Sequence, residues 1–175
     1  KVLSVSEMTI TCSTDVENAK GEICVYSTES GQRIASVELE RCLIESAMII
    51  PFQDNSYLLI GMAIPEEVGE GENGCREEGL MEGSENQTGR VKVYQLRGGN
   101  LTEVVDMAFD KPVRSAHKLE GSQILLCVGL STLAVYRVES RMRKGGDRTA
   151  LLDSATPQLK EVYKQKFVKL TKIVR

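Results

Sequence analysis

One short segment occurs twice in this chain, and that repetition limits its fold more than any single motif does. Gly21-Glu22-Ile23-Cys24-Val25-Tyr26 returns sixty-eight residues later as Gly89-Arg90-Val91-Lys92-Val93-Tyr94, with glycine, β-branched residues and tyrosine in register. The surroundings repeat as well. A turn follows each copy (Glu29 to Gln32, Arg97 to Asn100), then an alternating run (Arg33 to Leu39, Leu101 to Met107). A Ser-Ala pair comes next (Ser46-Ala47, Ser115-Ala116), then a run closing on glycine (Leu58 to Gly61, Leu126 to Gly129). Self-similarity at a fixed period marks one supersecondary unit stacked on itself, because such a unit cannot bury its apolar face alone.

The unit is made of strands. Runs rich in Val, Ile, Leu, Thr and Tyr, bounded by Gly, Asn, Asp and Ser, recur at the spacing of an all-β domain. The first clear run is Met8 to Cys12, and the last two are Leu159 to Lys166 and Val168 to Val174. Leu159, Val162, Tyr163 and Phe167 also fit one helix face, but the equivalent run Leu101 to Phe109 is strand-like, so strand is expected there. With its acidic insert removed, the period shrinks to about 45 residues and four strands, the size of one β-propeller blade.

The expected architecture is therefore an all-β, WD40-like β-propeller fragment of nearly three four-stranded blades. Residues 1–42 supply the last three strands of a blade, and 43–109 form a complete blade with an insert at 65–88. Residues 113–167 form another with an insert at 139–158, and 168–175 begin a following one. Nearly three blades cannot close a ring of about four to eight, so more chain or a partner is expected to complete it. In an up-and-down blade successive connections alternate between the two ends, so the two inserts are expected at opposite ends.

The net charge of −3 names no partner, but its distribution is uneven. Glu66 to Glu85 holds eight glutamates and one arginine, whereas Arg141 to Arg175 holds ten basic residues against three acidic ones. Five cysteines, at 12, 24, 42, 75 and 127, are odd in number and far apart, with no pair at metal-ligand spacing. Buried thiols are the expectation. No run of 18 apolar residues is present.

Catalysis has little to draw on. The single histidine, His117, follows Ser115 in a predicted strand, and alternation puts it on one face with Val113, Ser115 and Leu119. No nucleophile motif surrounds it, so a packed or channel-facing histidine is expected and no catalytic residue is assigned. The glycines at 69, 71, 98 and 99 lack the lysine and following helix of a phosphate loop. The acidic insert lacks the alternating Asp/Asn ligands of a calcium loop, so no metal or other cofactor is expected.

Two candidate binding segments remain. Glu66, Glu67, Glu70, Glu72, Glu77 and Glu78 form an acidic loop suited to a protein partner, since unusual loops on rigid frames carry recognition. Arg141, Arg143, Lys144 and Arg148, continued by Lys160, Lys164, Lys166, Lys169 and Lys172, would suit a phosphate backbone. Few aromatics accompany them for base stacking, so a protein partner is preferred.

Three stretches together resemble a known family. They are Tyr57 to Glu67, Gly89 to Tyr94, and Lys111-Pro112-Val113-Arg114-Ser115-Ala116 leading to Ile124 to Gly129 and Val135-Tyr136. Their order is similar to the C-terminal propeller of the large multi-propeller scaffolds. That family holds the large subunits of the damaged-DNA-binding protein and of the cleavage and polyadenylation specificity factor, and a propeller subunit of splicing factor 3b. Met62 stands where the family has threonine, Pro112 where it has glycine, and Leu133 to Tyr136 lacks its arginine. The resemblance implies a nuclear, non-enzymatic scaffold. It would be a ubiquitin-ligase adaptor in DNA repair or chromatin, or a subunit in pre-mRNA processing that contacts RNA through residues 141–172.

Overall fold

The computed structural model describes residues 1–65, 87–140 and 157–167. Twelve strands and no helix are found among them: β1 (Val2–Val5), β2 (Met8–Asp15), β3 (Lys20–Ser27), β4 (Arg33–Leu39), β5 (Leu43–Phe52), β6 (Asn55–Ile64), β7 (Thr88–Arg97), β8 (Asn100–Phe109), β9 (Val113–Lys118), β10 (Gln123–Val128), β11 (Thr132–Ser140) and β12 (Pro157–Lys166). They form three antiparallel four-stranded sheets, β1-β2-β3-β4, β5-β6-β7-β8 and β9-β10-β11-β12. Two-residue turns at Gly98-Gly99, both with positive φ, supply the hairpin geometry that only glycine adopts freely.

Two expectations change. The first sheet has four strands where three were expected, because Val2–Val5 pairs with Met8–Thr11. That run is only four residues long and includes a serine, too short for a hydrophobic pattern to stand out. The expected strand from Leu159 to Lys166 is present but begins at Pro157, because Glu139 and Ser140, placed in the insert, pair with Gln158 and Pro157; residues 168–175 lie outside the described residues.

Registers make the repeat explicit. Tyr26, Tyr94 and Tyr136 pair with Thr9, Leu58 and Ile124, so the three sheets superpose rung by rung. By that register Gly61 is equivalent to Cys127 and not to Gly129, since both pair with the second β-branched or leucine position of the next strand (Val91, Leu133). The shift is two residues, which keeps every side chain on its face. Each sheet also carries a bulge at the same step, after Val25, Val93 and Val135, where Ile34, Val104 and Val162 are the extra residues of the fourth strand.

The sheets stack face to face. Ile10, Cys12, Ile23 and Val25 of the first sheet pack against Leu58, Ile60, Met62 and Tyr94 of the second. On its other face the second sheet presents Tyr57, Leu59, Val91 and Val93 to Ile124, Leu126, Val128, Ala134 and Tyr136 of the third. The middle sheet is therefore buried on both sides, and Tyr57 to Ala63 is buried without a break. Each large side chain so enclosed contributes about 2 kcal/mol. The first strands approach one another, β1 and β2 meeting β5 and β5 meeting β9, while β4 meets β8 and β8 meets β12 at the outer side.

The repeated glycine has a steric cause. A Cβ on Gly89 would lie 2.1 Å from the Lys111 carbonyl oxygen, where the link from β8 to β9 crosses the start of β7. At Gly21 the link from β4 to β5 crosses likewise, but a Cβ would meet the Ile44 side chain at 2.9 Å, a more yielding neighbour. Gly89→Ala is accordingly expected to cost about 3 kcal/mol and Gly21→Ala about 1 kcal/mol, read as shifts in the urea midpoint. Equal costs would show that the crossing at Gly89 relaxes.

Candidate functional site

The glutamates 66, 67, 70, 72, 77 and 78 and the basic residues Arg141, Arg143, Lys144 and Arg148 lie outside the described residues. The ground from which both segments leave is described. The acidic segment departs after Ile64 and returns by Thr88, which pair with each other at one end of the second sheet. The basic segment departs after Ser140 and returns by Pro157, also a pair. Ser140 Oγ accepts a hydrogen bond from Gln53 Nε2 at 3.0 Å, and Gln53 lies in the turn between β5 and β6. That turn is at the far end of β6 from Ile64, about 30 Å of extended strand away. The two segments are rooted at opposite ends of the stack.

The root of the acidic segment is a charged, pitted surface. A cavity of about 140 Å³ is bounded there by Glu38, Glu40, Cys42, Met62, Ile64, Arg90 and Lys92 among others. It adjoins one of about 280 Å³ that shares Glu38, Leu39 and Glu40 and adds Asp15 and Lys20. Arg90 and Lys92 are two residues apart and so share the face toward the first sheet. Arg90 Nε holds Asp106 at 2.9 Å, and Lys92 Nζ holds Glu103 at 2.6 Å. With their charge already matched by β8, these cations are anchored beside the segment's stem. The Asn18 side chain, donating to Asp15, holds that carboxyl below the usual range.

A second polar line runs through the first strands. Glu45 is the bulged residue of β5 and Arg114 the bulged residue of β9, and Arg114 Nη1 meets Glu45 Oε1 at 2.6 Å. The Lys1 ammonium donates to the Glu45 carbonyl oxygen at 2.7 Å, joining the first sheet to the same line. Sequence alternation gave no sign of this pair, because a bulge is what turns both residues out of the alternation.

The bulge also relocates the histidine. Val113 pairs with Val128 and is fully buried between the second and third sheets, whereas Ser115 pairs with Cys127 and His117 with Leu125 on the opposite face. His117 is therefore exposed on the open face of the third sheet, neither packed nor beside Val113. No cluster of three or more His, Cys, Asp or Glu residues converges among the described residues.

The basic residues of β12 do not form one stripe. Lys160 pairs with Arg137 on the open face, where both approach Glu139, at 3.9 and 3.8 Å. Lys164 and Lys166 pair with Ala134 and Thr132 on the other face. Glu161 lies among them and accepts a hydrogen bond from the Tyr136 hydroxyl. Lys169 and Lys172 lie outside the described residues.

Cys12, Cys24 and Cys42 are buried free thiols, as expected, and Cys127 is half-buried because its face is open. Burial pushes the Cys12 thiol up to about 11 and raises that of Cys42, so neither is ionised at neutral pH. In native protein treated with iodoacetamide at pH 8, Cys127 is expected to alkylate while Cys12, Cys24 and Cys42 stay protected until unfolding. Peptide mass mapping checks this, and early labelling of Cys42 would show that the joint between the first two sheets opens.

Compared with known proteins, the sequence matches no family model and no curated protein.

Proposed function

We propose that the chain is part of a β-propeller and serves as a non-enzymatic scaffold that binds other proteins in a large nuclear assembly. The three stacked four-stranded sheets, joined by short links with their first strands together, support the propeller reading. The single observation that carries the scaffold reading is the rooting of two oppositely charged segments at opposite ends of one rigid stack. A frame closed at both stems holds recognition segments without being deformed by them. The resemblance to the multi-propeller scaffolds adds the assembly type, a ubiquitin-ligase adaptor in DNA repair or chromatin, or a pre-mRNA processing complex. The split of the β12 lysines across two faces, and their carboxylate neighbours, weigh against polynucleotide binding along that strand.

Replacing residues 66–86 by a short glycine turn is expected to leave the thermal midpoint within a few degrees, since Ile64 and Thr88 already pair. The same deletion is expected to remove the specific partners recovered from nuclear extract. Unchanged recovery would show that the acidic segment is not the dock. Binding to single-stranded RNA that weakens about a thousandfold between 50 and 200 mM salt, and that is lost on neutralising Arg141, Arg143, Lys144 and Arg148, would replace the protein-scaffold reading.

A further inference from the structure

Among the described residues the stack has two uncovered faces, and they differ in chemistry. The register fixes equivalent positions in all three sheets. On the face each sheet turns toward the following one, the first has Ile10, Cys12, Ile23 and Val25, and the second has Leu59, Gly61, Val91 and Val93. The third has Leu125, Cys127, Leu133 and Val135 at those places, apolar like the rest. These four are half-buried at the centre of the open face, and Tyr163, paired with Val135, is 54% exposed beside them. Polar groups rim this patch: His117, Gln123, Arg137 and Lys160.

The opposite end does not match. Where the second and third sheets carry Leu58, Ile60, Met62 and Ile124, Leu126, Val128, the first carries Thr9, Thr11 and Ser13. An aliphatic face laid on that surface would strip water from hydroxyls and give nothing back.

We propose that the open face of the third sheet is a docking surface for a further four-stranded β-sheet. That sheet carries aliphatic side chains at the positions of Leu58, Ile60 and Met62, and the hydroxyl-lined face of the first sheet is not a surface of that kind. The occupant follows from continuity with the two joints already present, each of which sets an Ile10- or Leu59-type face against a Leu58- or Ile124-type face. The small residue in the middle recurs too. Val113 of the third sheet closes to within 2.9 Å of the Cβ that Gly61 lacks, and Cys12 and Cys127 hold the equivalent places. A second copy stacked in the same direction would offer Thr9, Thr11 and Ser13, the wrong chemistry. The proposal rests on the propeller reading for its expectation that further sheets exist.

Two extensions of the full chain test it, each joined after Arg175 by a flexible linker. One adds residues 43–109, whose sheet presents Leu58, Ile60 and Met62. The other adds residues 1–39, whose sheet presents Thr9, Thr11 and Ser13. The first is expected to raise the thermal midpoint of the chain and reduce its hydrophobic-dye fluorescence, with Leu133→Glu reversing both. The second is expected to change neither. If Leu133→Glu does not fold, Tyr163→Glu at the exposed edge of the patch gives the same readout. Equal protection by both extensions, or protection by neither, would overturn the proposal. So would light scattering that shows the unextended chain as a dimer split by the same substitution, since the occupant would then be a second copy. Electron micrographs of the longest natural polypeptide containing this chain separate the two ideas, because stacked sheets without a closed ring would end the propeller reading and leave the extension result standing.

Discussion

The middle sheet must be covered on both faces, and most of the rest follows from that constraint. An isolated β-sheet with one apolar face is satisfied by one neighbour. Here Leu58, Ile60 and Met62 alternate with Tyr57, Leu59 and Ala63 along a single strand, so both sides exclude water. Only a stack meets that demand. Once the stack forms, the links cross tightly over Gly21 and Gly89, each the second residue of its strand, and the first strands are drawn together until Glu45 reaches Arg114.

The strand inventory was legible because period-two alternation and turn residues survive in one sequence. The duplicated glycine-to-tyrosine segment was the best guide, and its cause is now a carbonyl oxygen 2.1 Å from where a side chain would begin. The parts that could not be seen share one reason. Bulges at Glu45 and Arg114 break alternation without changing composition, so plain alternation puts His117 on the wrong face and gives no sign of the ion pair. β1 is hidden in the sequence because four residues carry too little pattern. Matching Gly61 to Gly129 falls two residues from the true register, an offset that side-chain alternation hides because it preserves the face.

For the candidate segments, sequence supplied the charge and the structure supplied the anchorage. A run of glutamates says nothing about where it is presented until Ile64 is found paired with Thr88, next to cations held by β8. The basic segment gains definition in the same way from Ser140 and Pro157. Lys160, Lys164 and Lys166 are spaced evenly enough for plain alternation to put them on one face, and it is the extra residue Val162 that sends Lys160 to the face opposite the other two.

The bulges carry one more consequence. Among the described residues the fourth strand of each sheet is an outer edge, and each takes its extra residue at the same rung, Ile34, Val104 or Val162. An extra residue kinks the strand and tightens its twist, so a second molecule cannot lie flat along it and extend the ladder. A chain built almost wholly of strands thereby carries, in the same irregularity that interrupts its pattern, a guard against aggregation.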